Sequence, residues 1–340
     1  MTTDARQRSG QAVLMEVLRR GIVVIILGLL MAYFTSQSDR FFQARNLVNI
    51  LEQNASLVII AVGMTLTMLI GGIDLSVGSV AALAGALSAG FVAQFGIPFE
   101  LSLLLTLAIG TVIGLVNGGL IIWGKLPPFI ATLAMLGVAR GLTLVYTEGR
   151  PISLIYREET SPGSPRSYEV FTFFGRGDVP LPLIGETPAA ILVALAVVVI
   201  FGLILGMTRF GLHIYAIGGS EETARLAGVP VNRVKLSVYG ISGMLAALGG
   251  MLLTARLFSA QPQAGVGLEL DAIAASVLGG VSLFGGVGNI FGAVTGGLLV
   301  GVLTNGMNLL RLDSFLQQMI QGIVLVAAIA IDMVIKRVEE

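Results

Sequence analysis

Long runs of apolar residues, separated by short polar stretches, recur along almost the whole chain. A helix needs about 20 mainly apolar residues to cross the hydrocarbon core of a membrane. Ten segments meet or approach this length, at residues 21–37, 54–70, 75–94, 101–123, 127–147, 188–207, 235–256, 271–285, 289–310 and 315–335. The eighth segment is short and interrupted by glycines, so hydropathy alone gives nine or ten spans. The pattern predicts an all-α polytopic membrane protein whose residues 1–340 form a single transmembrane domain.

The first apolar run also has the features of a secretory signal peptide, because Arg19 and Arg20 precede it. The residues that follow it, Thr-Ser-Gln-Ser at 35–38, make a poor cleavage site. We therefore expect an uncleaved first span.

Basic residues in short connections orient a polytopic chain, because they are enriched on the cytoplasmic side. With ten spans and a cytoplasmic N-terminus, eleven lysines and arginines fall inside and eight outside. Four of the eight lie in one long loop, where charges count for less. The charge distribution therefore favours ten spans with both termini in the cytoplasm.

Two connections are longer than the others. Residues 148–188 are rich in proline, glycine and charge, and we expect them to form a long periplasmic loop. Residues 208–234 are expected on the cytoplasmic side and contain the signals of a short helix. Ser220 is a good N-cap, and Gly228 followed by Pro230 would end the helix.

This predicted cytoplasmic helix is either a docking element or a simple connector between two spans. Its first turn holds two acidic residues, and Ala224, Leu226 and Ala227 are expected to be available for contact. If it docks on a partner, the residues involved are Ser220, Glu221, Glu222, Ala224, Arg225, Leu226 and Gly228.

A weak internal repeat joins the two halves of the chain. Residues 72–85 align without gaps to residues 267–280, and Asp74 then corresponds to Glu269. The two stretches open the third and eighth spans, which cross in opposite directions in the predicted topology. We therefore predict an inverted repeat of five plus five spans, an architecture that recurs in transporters.

The composition argues against several classes of function. Only 12% of the residues are charged and the formal net charge is zero, which gives no reason to expect nucleic acid as a partner. There is no cysteine and one histidine, His213, so neither thiolates nor a histidine cluster can hold a metal. We find no catalytic constellation and no nucleotide-binding motif, so we expect no cofactor here and any ATP dependence to come from a partner.

Ionisable and amide side chains inside the spans are the candidates for a translocation pathway. Arg140 lies near the middle of the fifth span, where an arginine costs about 2.5–3.5 kcal/mol and should face protein or water. It is either a gate residue or part of a structural ion pair. The acidic residues at span ends either cap helices or line the route, and the buried asparagines either join helices or contact the solute. The candidates are Asp74, Ser76, Asn117, Arg140, Glu269, Asp271 and Asn305.

Several short sequence motifs together match a known pattern. They are GIDLSVGS at 72–79, FIATL at 129–133, ARG at 139–141, IYAIGG at 214–219 and GLELDAIAA at 267–275. Together they resemble the ribose-type permease family of bacterial ATP-binding-cassette importers, over nearly the whole chain. The departure is the loop near residues 156–188, which is longer and more charged than expected of a ribose permease.

The resemblance implies a bacterial inner-membrane protein that moves a neutral monosaccharide by alternating access. It implies three partners, namely an ATP-binding subunit, a periplasmic sugar-binding protein and a second permease copy, with ATP and Mg²⁺ held by the ATPase. It also implies that the helix around residues 218–228 docks on that ATPase. Ribose and other pentoses or hexoses stay open as substrates.

Two other classes of function remain for comparison. A secondary transporter driven by an ion gradient would need no ATPase and would usually place an ionisable coupling residue at mid-membrane. Arg140 is a poor proton carrier because it stays charged. A membrane-embedded enzyme would need paired carboxylates or a nucleophile motif, which the sequence lacks.

Overall fold

A computed structural model of the chain describes residues 23–182 and 185–339. The ten predicted apolar segments each coincide with a helix, in order α1 (Val23–Gln37), α2 (Ala44–Leu69), α3 (Val77–Ala93), α4 (Phe99–Ile122), α5 (Pro128–Thr147), α7 (Ala189–Met207), α10 (Val231–Leu257), α11 (Leu268–Leu278), α12 (Ile290–Leu309) and α13 (Ser314–Glu339). Three further helices lie in the two long connections, α6 (Pro165–Arg176), α8 (Arg209–Gly219) and α9 (Glu221–Leu226). The charges at Arg6, Arg8, Arg19 and Arg20, which contribute to the predicted orientation, lie outside the described residues.

Six of these helices are long and apolar enough to cross a membrane, namely α2, α4, α5, α7, α10 and α12. The described part of α1 and the whole of α3 are shorter apolar helices. Helices α2, α10 and α12 are the most buried of the six, and α4, α5 and α7 leave most of their apolar surface exposed. The predicted all-α polytopic membrane protein is confirmed.

The eighth predicted span is the one that the structure corrects. Helix α11 has 11 residues, about 16 Å of helix, which is too short to cross the hydrocarbon core. The chain leaves the helix at Gly279 and stays irregular until α12 begins at Ile290. Gly280, Gly285 and Gly288 have positive φ in this stretch, a conformation that disfavours other residues. Residues 271–285 are therefore a half-helix followed by a loop.

Helices α2 and α10 fix the directions of the two halves. Towards the C-terminal end of α2, Gly63 packs against Ser242 in the first half of α10. At the other end, Glu52 of α2 pairs with Arg256 of α10 at 3.5 Å. The two helices therefore run antiparallel.

The helix packing follows the predicted repeat. Helix α10 packs against α3 and α4, and α2 packs against α11 and α12. Helix α3 contacts α4 and α5, just as α11 contacts α12 and α13. Exchanging α2–α5 with α10–α13 maps each contact onto the other, and the antiparallel course of α2 and α10 makes the repeat inverted.

Helices α4 and α10 pack closely, and glycines make the approach possible. A side chain at Gly110 or Gly114 would collide with the backbone of α10, and one at Gly243 would collide with α4. Small residues at such a crossing let two backbones approach in a membrane, where lipid supplies no hydrophobic drive.

The described residues of the connection at 148–188 are more ordered than its composition predicts. Strand β1 (Ile152–Ser153) pairs antiparallel with β4 (Ser259–Ala260), and β2 (Asp178–Leu181) pairs with β3 (Gly185–Pro188). Between the sheets, α6 buries Tyr168 and Phe171 in a cluster that includes Phe99, Met251 and Ala255. We call this end of the bundle the β end, and the opposite end, which carries α8 and α9, the α9 end.

Candidate transport and coupling sites

The break between α2 and α3 holds a fully buried carboxylate. Asp74 is 1% exposed, and its Oδ1 accepts hydrogen bonds from the Ser76 amide at 3.0 Å and the Ser76 hydroxyl at 2.6 Å. Its Oδ2 accepts from the Ser242 hydroxyl of α10 at 2.8 Å. Three donors compensate for much of the cost of burying this group. Asp74 therefore fastens the irregular start of α3 to α10.

Two further polar side chains complete this cluster. The Asn117 amide of α4 donates to the Ser76 hydroxyl at 2.9 Å, which connects a third helix to the site. Within the described residues, the Asn117 Oδ1 atom and the Tyr239 hydroxyl are buried without a hydrogen-bond partner. Such orphan groups are rare in native structures and call for an explanation.

Arg140 anchors the loop before α11. Its guanidinium donates to the carbonyls of Pro262 and Ala264 at 3.0 and 2.8 Å. The negative charge of Glu269 also attracts the guanidinium. Of the two interpretations of Arg140, the structural one comes closer, but the hydrogen-bond acceptors are carbonyl oxygens where an ion pair was expected. The residue as a whole is partly buried.

Asp271 and Asn305 take different positions from the other candidates. Asp271 lies in the first turn of α11, whose N-cap is Gly267 without a side-chain hydrogen bond, so the capping interpretation of Asp271 is wrong. Asn305 of α12 exchanges two amide hydrogen bonds with Asn46 of α2 at 3.0 and 3.1 Å. That pair joins helices, as the packing interpretation predicted.

The structure thus groups the candidates in two places. Asp74, Ser76 and Asn117 form one cluster, while Arg140 and Glu269 form another. A side chain at Gly78, one turn after Asp74, would collide with the Glu269 carboxylate, so the two clusters adjoin. The residues that sequence reasoning missed are Ser242 and Tyr239, both on α10. Their polarity inside an apolar helix was the available signal.

The predicted cytoplasmic helix is present as α9. The Ser220 hydroxyl accepts from the Thr223 amide at 3.2 Å, and Gly228 leaves the helix with φ of 83°. Leu226 is 85% exposed, as expected of a contact residue, whereas Ala224 is 3% exposed. The prediction that Ala224 is free for contact is wrong, because it packs against the bundle.

Glu221 connects α9 to the next span. Its carboxylate contacts Arg225 at 3.0 Å within the helix and Lys235 of α10 at 2.8 Å. These contacts lower the pKa of Glu221 below its ordinary value of 4.5, and the hydrogen bond from Lys235 is the largest cause. The side chain is therefore ionised at neutral pH and ties α9 to α10.

Comparison with known proteins identifies the family. Residues 46–329 match the family described as the permease component of the branched-chain amino acid transport system. The chain belongs to this permease family. The matched range includes both polar clusters, α8 and α9, so the sites described above lie in the part that the family shares.

Curated relatives match the permease over nearly its full length. It is 41% identical to the Ribose import permease protein RbsC of Escherichia coli strain K12, over 97% of this chain and 98% of the relative. It is 46% identical to the protein of the same name from Bacillus subtilis strain 168, over 92% and 89%. The Xylose transport system permease protein XylH of Haemophilus influenzae is 34% identical over 92% and 95%. No solved structure matches the permease.

Proposed function

We propose that this permease is the membrane-spanning subunit of an ATP-driven importer for a monosaccharide, either ribose or a related pentose or hexose. The observation that carries the proposal is the 41–46% identity to ribose import permeases over nearly the whole chain. Relatives that transport allose and xylose, at 34% identity, keep the wider range of sugars open.

The proposed importer has three further components. An ATP-binding subunit holds ATP and Mg²⁺ and performs the hydrolysis, so this chain needs no cofactor and is not itself an enzyme. A periplasmic sugar-binding protein delivers the solute, and a second copy of the permease completes the membrane part. The single transmembrane domain lies in the bacterial inner membrane, with both termini and the α9 end in the cytoplasm.

Transport in this proposal is alternating access. The loaded binding protein docks at the β end, where β1, α6 and the β2–β3 hairpin form the surface. ATP binding drives the ATPase domains together beneath α9. Since Leu226 is 85% exposed on a capped helix, it provides an apolar contact for the ATPase.

The polar groups near the centre of the bundle suit a neutral solute. The Asp74 cluster presents hydroxyl and amide groups, and Arg140 shares its surroundings with Glu269. Such groups can exchange hydrogen bonds with sugar hydroxyls without binding an ion strongly. Asp271 lies on the first turn of α11, close to Glu269, whereas Asn305 pairs with Asn46 at the start of α2, the end of that helix away from Asp74.

The proposal is tested by reconstitution. The permease is co-expressed with a candidate ATP-binding subunit and sugar-binding protein, purified as a complex and placed in liposomes. D-ribose, D-allose and D-xylose are each supplied with the binding protein, and ATP hydrolysis and uptake are measured. We expect hydrolysis to rise and sugar to enter with at least one of them. Uptake that follows an imposed ion gradient without ATP would instead establish a secondary transporter.

The ATPase contact has its own matched pair of variants. Leu226→Glu places a charge on the exposed apolar position, and Leu226→Met preserves its apolar character. We expect the glutamate variant to lose the ATPase on purification and the methionine variant to retain it, with equal permease abundance. Retention by both variants would place the docking surface elsewhere.

A further inference from the structure

One face of α10 contacts both α9 and the break before α3. Lys235, Tyr239 and Ser242 are spaced four and three residues apart, so they lie on the same side of the helix. Lys235 bonds Glu221 of α9 at 2.8 Å, and Ser242 bonds Asp74 at 2.8 Å. One continuous helix therefore joins α9 to the Asp74 cluster.

The residue between these two contacts is the one with an orphan hydroxyl. Tyr239 is fully buried, and its hydroxyl has no partner within the described part of the chain. That hydroxyl lies against Gly72, two residues before Asp74, where a side chain at position 72 would overlap it. A buried donor without an acceptor is costly, so selection for packing alone does not explain the tyrosine.

We propose that the Asp74 carboxylate exchanges donors on α10 during transport, from the Ser242 hydroxyl in the present state to the Tyr239 hydroxyl in the other. The inference rests on the proposed function, because it assigns the exchange to the motion that α9 delivers. It makes Tyr239 a positioning residue, which acts on the start of α3 and touches no substrate.

The helix geometry sets the scale of the exchange. Three residues separate Tyr239 from Ser242, about 4.5 Å along the helix axis. The long tyrosine side chain covers part of that distance, so a tilt or partial shift of α10 is enough. Ser76 donates to Asp74 from its own segment and can keep doing so. The carboxylate then has three donors in both states, which gives two discrete arrangements with the same number of hydrogen bonds to Asp74.

Replacing Tyr239 by phenylalanine tests the exchange, because it removes the hydroxyl and keeps the ring. In the present state that hydroxyl makes no hydrogen bond, so folded yield and melting temperature should stay at the wild-type value or rise. Import of D-ribose by the reconstituted complex should fall by about tenfold while ATP is still hydrolysed, so that more ATP is consumed per sugar.

The matched control is Thr106→Val on α4, which removes another buried hydroxyl without a partner. It should leave import and the ATP-to-sugar ratio unchanged. Import within twofold of wild type in Tyr239→Phe, or an equal loss in Thr106→Val, would overturn the proposal. Failure of the wild-type complex to import any of the three sugars would instead count against the proposed function.

Ser242→Ala gives an independent measurement on the same switch. It removes the donor of the present state and leaves Tyr239 as the α10 donor for Asp74. Without ATP, we expect Ser242→Ala to melt at a lower temperature than wild type. When a non-hydrolysable ATP analogue closes the ATPases, this difference in melting temperature should be smaller. An equal deficit in both conditions would show that Ser242 is a fixed structural contact and would contradict the exchange.

Discussion

Asn46 and Asn305 exchange two amide hydrogen bonds, at 3.0 and 3.1 Å, between α2 and α12. The pair lies among apolar side chains that include Phe34, Phe41 and Met307. We expect Asn305→Ala to lower the free energy of unfolding by about 1 kcal/mol, the usual size of a polar contact between membrane helices. Thermal or denaturant unfolding of the purified permease in detergent measures the change.

A double-mutant cycle separates this pair from its surroundings. Asn46→Ala and the double variant complete the cycle, and the loss in the double variant should be smaller than the sum of the single losses. Additive losses would mean that each asparagine acts through other contacts.

We expect Arg140 mainly to hold the loop before α11 in place and to affect transport through that role. Arg140→Gln shortens the side chain and removes the charge that holds the carbonyls of Pro262 and Ala264. We expect a lower folded yield and slower D-ribose uptake, because the loop that leads into α11 loses its anchor. Size-exclusion chromatography and uptake per folded molecule measure the two effects.

The control is Arg45→Gln, an exposed arginine in the first turn of α2 and outside the connection at 148–188. It should change neither yield nor uptake. Normal yield and normal uptake in Arg140→Gln would show that neither role is real. Normal yield with slow uptake would assign Arg140 to the gate alone.

The Glu221–Lys235 contact should be needed for coupling. Lys235→Met breaks the tie between α9 and α10, and we expect sugar-stimulated ATP hydrolysis to fall with permease abundance unchanged. Arg233→Met removes an exposed positive charge two residues earlier and should have no effect. Exchanging the two charges, Glu221→Lys with Lys235→Glu, should restore part of the stimulation. If Arg233→Met lost as much stimulated hydrolysis, the cause would be the loss of positive surface charge and not of the Glu221–Lys235 pair.

The same contact predicts a pH dependence. The pKa of Glu221 is lowered on folding, so its stabilising contribution is complete above the ordinary value of 4.5 and is lost as the pH falls through the lowered pKa. Because the carboxylate is 43% exposed, the effect is small. The melting-temperature difference between wild type and Lys235→Met should be constant from pH 7 to about pH 5 and shrink below that. A difference that shrinks already near pH 6 would contradict the assignment.

The orientation can be measured directly because the chain contains no cysteine. Single cysteines at the exposed positions Glu158 and Glu222 report on the β end and the α9 end. We expect a membrane-impermeant maleimide to label Glu158→Cys in intact spheroplasts and Glu222→Cys only after permeabilisation. Labelling of Glu222→Cys in intact spheroplasts would discard both the predicted topology and the docking proposal.

The sequence by itself determined the class of protein, nearly all of its apolar helices and the capped helix α9. These features depend on local patterns. A run of apolar residues favours a membrane helix, and Ser220 with Gly228 favours a short capped helix, whatever the rest of the chain does. The inverted repeat was also visible, because equivalent positions keep similar residues.

Only the tertiary structure decided which polar groups meet. Ser242 bonds Asp74 across more than 160 residues of chain. Arg140 bonds carbonyl groups, which every residue carries and no sequence pattern marks. The eighth segment ends as a half-helix at Gly279, whose backbone lies against Gly292 of α12, and this contact exists only once the helices pack. Hydrogen-bond partners and close helix crossings are long-range relations, so local residue patterns cannot fix them.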